Sequence, residues 1–217
     1  MHEIFLNAEP IFFIGSFPFT NTLLLSFITV CVIGFGSFLL QRRYAAVPGA
    51  AQGTVEIVYE EIMSLMEAVL GSREKSQKYL PFVATIFVFI LVSNWLGILP
   101  GVGSLGIIKT PVEEIHVFTP LLRSPASDLN FTLALAIVTV VVVNAFGVAA
   151  IGAGKHLKKF FNISGPIDFF VGILEFISEI ARMISFAFRL FGNVFAGEVL
   201  LVVIAFLVPF GAPVPFF

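Results

Sequence analysis

The chain has 217 residues, of which 58% are hydrophobic and 12% charged, with 27 phenylalanines and a formal net charge of −2. A soluble domain carries about a quarter charged residues, so this composition excludes one and describes an integral membrane protein. The near-neutral balance offers no basic field for nucleic acid, and the lone Cys31, inside an apolar run, forms no intrachain disulfide and fits no metal spacing.

The N-terminus, "MHEIFLNAEP", has acidic residues and no basic n-region. It does not read as a signal peptide, so the first apolar run is expected to stay as an anchor. That run, "TNTLLLSFITVCVIGFGSFLL" at 20–40, is long enough to cross ~30 Å of hydrocarbon at ~1.5 Å per residue. It ends in Gln41-Arg42-Arg43. The next stretch, 54–70, "TVEIVYEEIMSLMEAVL", is too polar to span. On a helical wheel Val55, Val58, Tyr59, Ile62, Leu65, Met66 and Val69 share one side, and Glu56, Glu60, Glu61, Ser64 and Glu67 the other. Thr54 is placed to N-cap it, Glu56 suits a first turn, and Gly71 stands where a C′ glycine belongs. The pattern predicts an amphipathic helix on the membrane surface. The plainer reading, a helix of a small soluble domain, lacks a domain to belong to.

A span is predicted at 80–99, "LPFVATIFVFILVSNWLGIL", ended by Pro100-Gly101, then a Gly- and Pro-rich loop at 101–128. Residues 129–150, "LNFTLALAIVTVVVVNAFGVAA", return across the bilayer to "GKHLKKF". His116 and His156 read as solvated loop residues and His2 as terminal. Of the twelve basic residues, eight (Arg42, Arg43, Arg73, Lys75, Lys78, Lys155, Lys158 and Lys159) flank the spans on one common side. The positive-inside rule places that side in the cytoplasm and the N-terminal segment, 1–19, outside. The three lysines of "GKHLKKF" are expected at lipid head groups.

The last run, 166–208, would be roughly 64 Å long as one helix, twice the ~30 Å hydrocarbon core. A single glycine at Gly192 or Gly197 is a weak breaker, so one helix tilted by roughly 60° is expected, against an average near 20°. On its wheel Glu175, Ser178, Glu179, Arg182, Arg189 and Asn193 fall within an arc of about 100°, Ser185 lies just outside, and Glu198 lies on nearly the opposite face. A stripe of Ser178, Ser185 and Asn193 alone would be a hydrogen-bonded helix seam. Arg189 asks for more, because arginine keeps its proton in proteins. Glu179 and Glu175 are ~15 and ~21 Å away along the axis, out of ion-pair reach. The other spans offer Ser93, Asn94 and Asn144 but no acid at membrane depth, with Asp128 at a span end. The counter-charge is therefore expected on another polypeptide. Arg182 is expected to pair locally with Glu179.

"SFAFRLFGNVFAGEVLL" resembles the signature of subunit a of the F-type ATP synthase. The resemblance extends through "LVSNWLGILPG", "RSPASDLNFTLALA" and "GILEFISEIARMISFAFRLFGN" and covers most of 48–208 in order. It implies an all-α polytopic membrane protein: transmembrane helices, an amphipathic surface helix and a long, strongly tilted intramembrane helix, in a single membrane domain over 1–217. It also implies a proton-translocating stator subunit in which Arg189 faces the carboxylates of a rotating c-ring. The family's polar positions carry over onto Asn193, Glu198, Glu175, Ser178 and Ser185, onto Asn94, and onto Asp128 and Asn130 at the outer mouth. Two half-channels are then expected. The outer one uses Glu198, Asp128, Asn130, Asn94 and Asn193, and the inner one Glu175, Glu179 and Ser178. Fixed positive charge at Arg189 lies between them and bars a direct leak.

The sequence departs from the family in two places. Gly97 stands in "NWLGILP" where some members have an acid, which shifts reliance onto Glu198 and Asp128. The family pattern continues with another slanted helix, whereas this sequence runs to Phe217 after "VPFGAPVPFF". Expected partners are the c-ring, a b-subunit peripheral stalk and membrane lipid, in a bacterial plasma membrane. No cofactor, metal or nucleic acid is expected, and no nucleophile–base pair or phosphate loop marks an enzyme. The alternatives are a secondary transporter subunit, in which Arg189 binds an anionic substrate, and a structural membrane anchor. A transporter predicts an inverted repeat, which the sequence does not display. An anchor leaves Glu198 unexplained.

Overall fold

In lipid every backbone N–H and C=O must be paired within its own segment, so long apolar runs fold as helices. Among the described residues four helices are long and apolar enough to cross a membrane: Asn21–Arg42, Arg73–Ile98, Leu129–Ile151 and Ile167–Ile204. The structure, a computed structural model, describes residues 8–99, 106–109, 117–160 and 165–207. The protein is an α-helical polytopic membrane protein, and the described residues form two units, 10–124 and 125–207, with 8–9 grouped with the second.

The first unit opens with a hairpin of β1 (Pro10–Ile14) and β2 (Phe17–Thr20), where the sequence reading assigned no element. Gly15 turns the chain at φ 64°, in the left-handed region that glycine enters without strain. Phe12 stacks on its cross-strand partner Phe19 at 4.7 Å between ring centroids. Thr20 then caps α1 (Asn21–Arg42), its hydroxyl accepting from the Leu23 N–H. Asn21, Thr22, Leu25 and Thr29 form the buried edge of α1. Two hydroxyls bond back within the helix, Ser26 Oγ donating to the Thr22 carbonyl and Thr29 Oγ1 to the Leu25 carbonyl, each at 2.8 Å. The Asn21 amide donates to the Pro120 carbonyl at 3.2 Å.

Helix α2 (Ala50–Leu70) begins four residues before the expected cap. Gly49 is the N-cap, Thr54 is internal and its hydroxyl donates back to the Ala50 carbonyl, and Glu56 falls in the second turn. A threonine inside a helix can bond its own preceding turn, which removes the need to start there. At the other end Gly71 takes φ 67° and closes the helix as the pattern indicated. The apolar face of α2 divides. Ile62 and Met63 are buried with Leu80 of the next helix, with Val58, Met66 and Ala84 packed around them, whereas Leu65 and Val69 stay 68% and 85% exposed.

Helix α3 (Arg73–Ile98) starts in the polar "REKSQK" segment, seven residues before the apolar run, and continues through Pro81. An interior proline removes a helical hydrogen bond at a cost of ~3 kcal/mol. Here the carbonyl it leaves unpaired is that of Gln77, in the polar turns. Arg73 spans back to Glu60 and Glu67 of α2 at 3.4 and 3.3 Å. The stretch read as a plain loop at 101–128 contains paired strands, β3 (Gly106–Lys109) against β4 (Val117–Pro120), antiparallel. His2, His116 and "VPFGAPVPFF" lie outside the described residues.

In the second unit a 3-10 turn, Pro125–Ser127, leads into α4 (Leu129–Ile151), capped by Asp128. A short α5 (Ala153–Lys158) follows, then α6 (Pro166–Leu207), unbroken over 42 residues. Proline at the first helical position and Asp168 in the first turn suit a helix start. Helix α6 passes straight through Gly192 and Gly197, since one glycine costs only ~1 kcal/mol in a helix interior.

Helices α4 and α6 pack on each other, and the 3-10 turn also lies against α6. Asn144 contacts Glu179. A parallel course from that point would carry the turn beyond the start of α6, so the helices run antiparallel. The same register sets Ala136 opposite Ala187, both buried, at 5% and 1% exposure. Small residues let the two backbones approach, as membrane helix pairs require.

Candidate functional site

The contact line of α4 drifts around α6. It passes from Glu179, at about 40° on the wheel that starts at Glu175, to Ala187 at about 120°, at ~100° per residue. Extending the register brings the 3-10 turn to the level of Glu198, at about 140°. Glu198 is half-buried there. The acid that sat off the polar stripe is thus on the face that meets α4 and its leading turn. Ser178, Ser185, Arg189 and Asn193 remain exposed on the other side of α6.

Arg189 is the distinctive member of this face. Among the described residues it has no hydrogen bond or ion pair, and its guanidinium stands 6.0 Å from the Phe186 ring centroid. Phe186, at about 20° on the same wheel, is exposed beside it. A permanent cation on an exposed face of a membrane helix needs an anion or water from outside the helix.

Toward the start of α6 the stripe is engaged within the unit. Lys159, after α5, forms an ion pair with Glu175. Glu179 is held from two sides. Arg182 donates to one carboxylate oxygen at 3.1 Å, the i,i+3 pair that the spacing indicated. Asn144 donates to the other at 2.9 Å and also to the Val140 carbonyl at 2.9 Å. The Asn144 oxygen lies 3.0 Å from Nε2 of His156. His156 is therefore not a solvated loop residue. It is half-buried in α5, its ring seated over Gly147 and edge-on to Phe160 at 5.8 Å. A Cβ at Gly147 would come within 2.7 Å of the imidazole Cε1, so the glycine makes room for the ring. A Cβ at Gly172 would collide with the Phe160 carbonyl, which fixes how closely the chain after α5 lies on α6. Lys159, read as a head-group contact, is likewise drawn into this cluster. Asn144 was visible in the sequence as an amide inside "VVVVNAF", and a buried amide demands partners. His156 carried no such signal, because its contact depends on how α5 folds back.

Asp128, 5% exposed, accepts from the Asn130 N–H at 3.0 Å and so holds the start of α4. Asn130 itself is exposed. In the other unit Asn94 accepts from the Ser124 hydroxyl at 2.9 Å. One turn further on, a Cβ at Gly97 would come within 2.8 Å of Ser124 Cβ. Ser124 thus occupies the space that any side chain at position 97 would need. Among the described residues no group of three or more His, Cys, Asp or Glu is placed to hold a metal ion.

A polytopic helical protein with an exposed arginine on a very long helix and carboxylates near both ends of that helix has the form of an ion-translocating membrane subunit. The sequence pattern of the family described as ATP synthase A chain matches residues 23–217. The chain is similar to ATP synthase subunit a of Campylobacter fetus subsp. fetus, 33% identical over 220 residues that cover 100% of this chain and 86% of that protein. It is similar to the same subunit of Moorella thermoacetica at 29% over 205 residues, 94% of this chain and 82% of the relative. It is also similar to that of Campylobacter concisus at 33% over 184 residues, 83% and 71% respectively. The chain belongs to the ATP synthase A chain family, that of subunit a of the F-type ATP synthase. It is a multi-pass integral membrane protein and a component of that complex.

Proposed function

We propose that this chain forms two proton half-channels against a ring of c-subunits and that Arg189 separates them. The observation that carries the reading is the exposed guanidinium on α6 that finds no anion among the described residues. A ring carboxylate supplies the anion. At an effective dielectric near 20 the pair at 4 Å is worth ~4 kcal/mol before desolvation, which keeps the carboxylate ionised as it passes. Lysine would not substitute, because a desolvated lysine gives up its proton.

In this reading Glu198, Asp128, Asn130, Asn94 and Asn193 line the outer half-channel. Glu175, Glu179 and Ser178 line the inner one, toward the basic "GKHLKKF" end in the cytoplasm, and Ser185 flanks Arg189. The N-terminal segment lies outside, α2 rests on the membrane surface, and α6 crosses a bacterial plasma membrane steeply tilted. A b-subunit stalk holds the chain against the turning ring. The location of the eight basic residues supports this orientation.

Cross-linking in the whole complex tests which face meets the ring. Asn193→Cys is expected to form a disulfide with a cysteine placed beside the ring carboxylate. Phe188→Cys, about 140° away around the helix, is expected to form none. Equal cross-linking from both positions, or none from Asn193→Cys, overturns the assignment.

A further inference from the structure

The hydrogen bonds around Asn144 fix more than a contact. Its amide nitrogen meets the Val140 carbonyl and a Glu179 carboxylate oxygen, each at 2.9 Å. A backbone carbonyl only accepts, so the amide cannot be flipped there. Its oxygen must therefore be the atom that faces His156, at 3.0 Å, and Nε2 of His156 must be the donor. That assigns the tautomer. Nε2 carries a hydrogen whether the ring is neutral or cationic, and Nδ1 is the atom that gains and loses a proton. The ring takes up a proton at Nδ1 without surrendering its bond to Asn144.

The charged groups around this ring are Lys155, Lys158 and Lys159 from its own segment and Glu175, Glu179 and Arg182 from α6. Helix α4 contributes no charged side chain. Glu175 is paired with Lys159 and Glu179 with Arg182. His156 is thus the one imidazole in the cluster, the side-chain chemistry suited to taking up and releasing protons. It stands one side chain removed from Glu179.

We propose that His156 collects protons from the bath at the basic end of the inner half-channel, and that Asn144 is the positioning residue that holds it beside Glu179. This rests on the half-channel reading above. The step is balanced. Nδ1 takes a proton from bath water, giving an imidazolium. Nδ1 then passes that proton through water in the mouth to the carboxylate path on α6 and returns to the neutral ring, with Nε2–H still on Asn144. One proton enters, one leaves, and no other bond changes.

The test is ATP-driven proton uptake into inverted vesicles carrying the whole complex, with the pH of the bath varied. Without a collecting group, uptake depends on the free proton concentration. His156→Gln is therefore expected to lose rate about tenfold between bath pH 7 and 8, with wild type falling much less. Added imidazole, a mobile carrier, is expected to restore the variant. A variant that matches wild type across the pH range overturns the proposal. So does one that is slowed equally at every pH and gains nothing from imidazole, which marks a structural role. His156→Asn provides a second neutral amide if the first variant does not assemble. Arg189→Ala run alongside separates the two readings. If it still pumps, the half-channel reading has failed; if it is silent while His156→Gln behaves as wild type, only the collecting role has failed.

Discussion

Asn144 donates from its side-chain amide to Glu179 at 2.9 Å, joining two residues 35 positions apart across the α4–α6 seam. Hydrogen bonds between membrane helices average ~0.6 kcal/mol and reach ~1.7. A double-mutant cycle of Asn144→Ala and Glu179→Ala, read by detergent unfolding, is expected to show coupling in that range. A cycle that closes with no coupling contradicts the seam.

Gly97 and Ser124 are set by a different constraint, space. A Cβ on Gly97 would lie 2.8 Å from Ser124 Cβ. Gly97→Ala is expected to cost ~1–3 kcal/mol, the range for overpacking, seen as a lower thermal midpoint in detergent. Ser124→Gly in the same chain is expected to recover most of it. Gly97→Glu is expected to be worse than alanine, because the longer side chain also displaces the Asn94–Ser124 bond.

The Lys159–Glu175 pair is partly open to its surroundings, with side chains 45% and 32% exposed. Exposed ion pairs contribute ~0–1 kcal/mol. Lys159→Gln is expected to shift unfolding by less than ~1 kcal/mol and to leave assembly intact. Lys159→Glu sets two acids together and is expected to be the more damaging change, and adding Glu175→Lys should reverse most of it. A loss of assembly in Lys159→Gln would show that the pair carries more of the fold than its exposure implies.

Much of this architecture was legible in the residues because lipid enforces it. An apolar run of the right length has few choices, so α1, α4 and α6 lie within a residue or two of where hydropathy placed them. Gly71 and the Glu179–Arg182 pair followed from local spacing, which a helix preserves. The misses were boundaries and tertiary contacts. Thr54 has a capping side chain where the apolar periodicity begins, yet "AAQG" before it is compatible with one more helical turn. The apolar run at 80–99 marks only the lipid-spanning part of α3, and hydropathy carries no signal for the helical turns in "REKSQK" that precede it. The hairpin at Phe12 and Phe19 lacked the usual Asn-Gly turn signal. The Asn144–His156 contact depends on α5 folding back over Gly147, which no pattern within either segment encodes. For Arg189 the sequence supplied the question, an unmatched charge in lipid, and α6 supplied its outward face.

The role proposed for Arg189 is that of the fixed charge between two proton paths. It is tested most directly by ATP-driven proton uptake into membrane vesicles that carry the whole complex, comparing wild type with Arg189→Ala and checking that the complex still assembles. The expected result is an assembled complex that no longer pumps. Pumping near the wild-type level from an assembled Arg189→Ala complex would contradict the claim and make the arginine a structural residue.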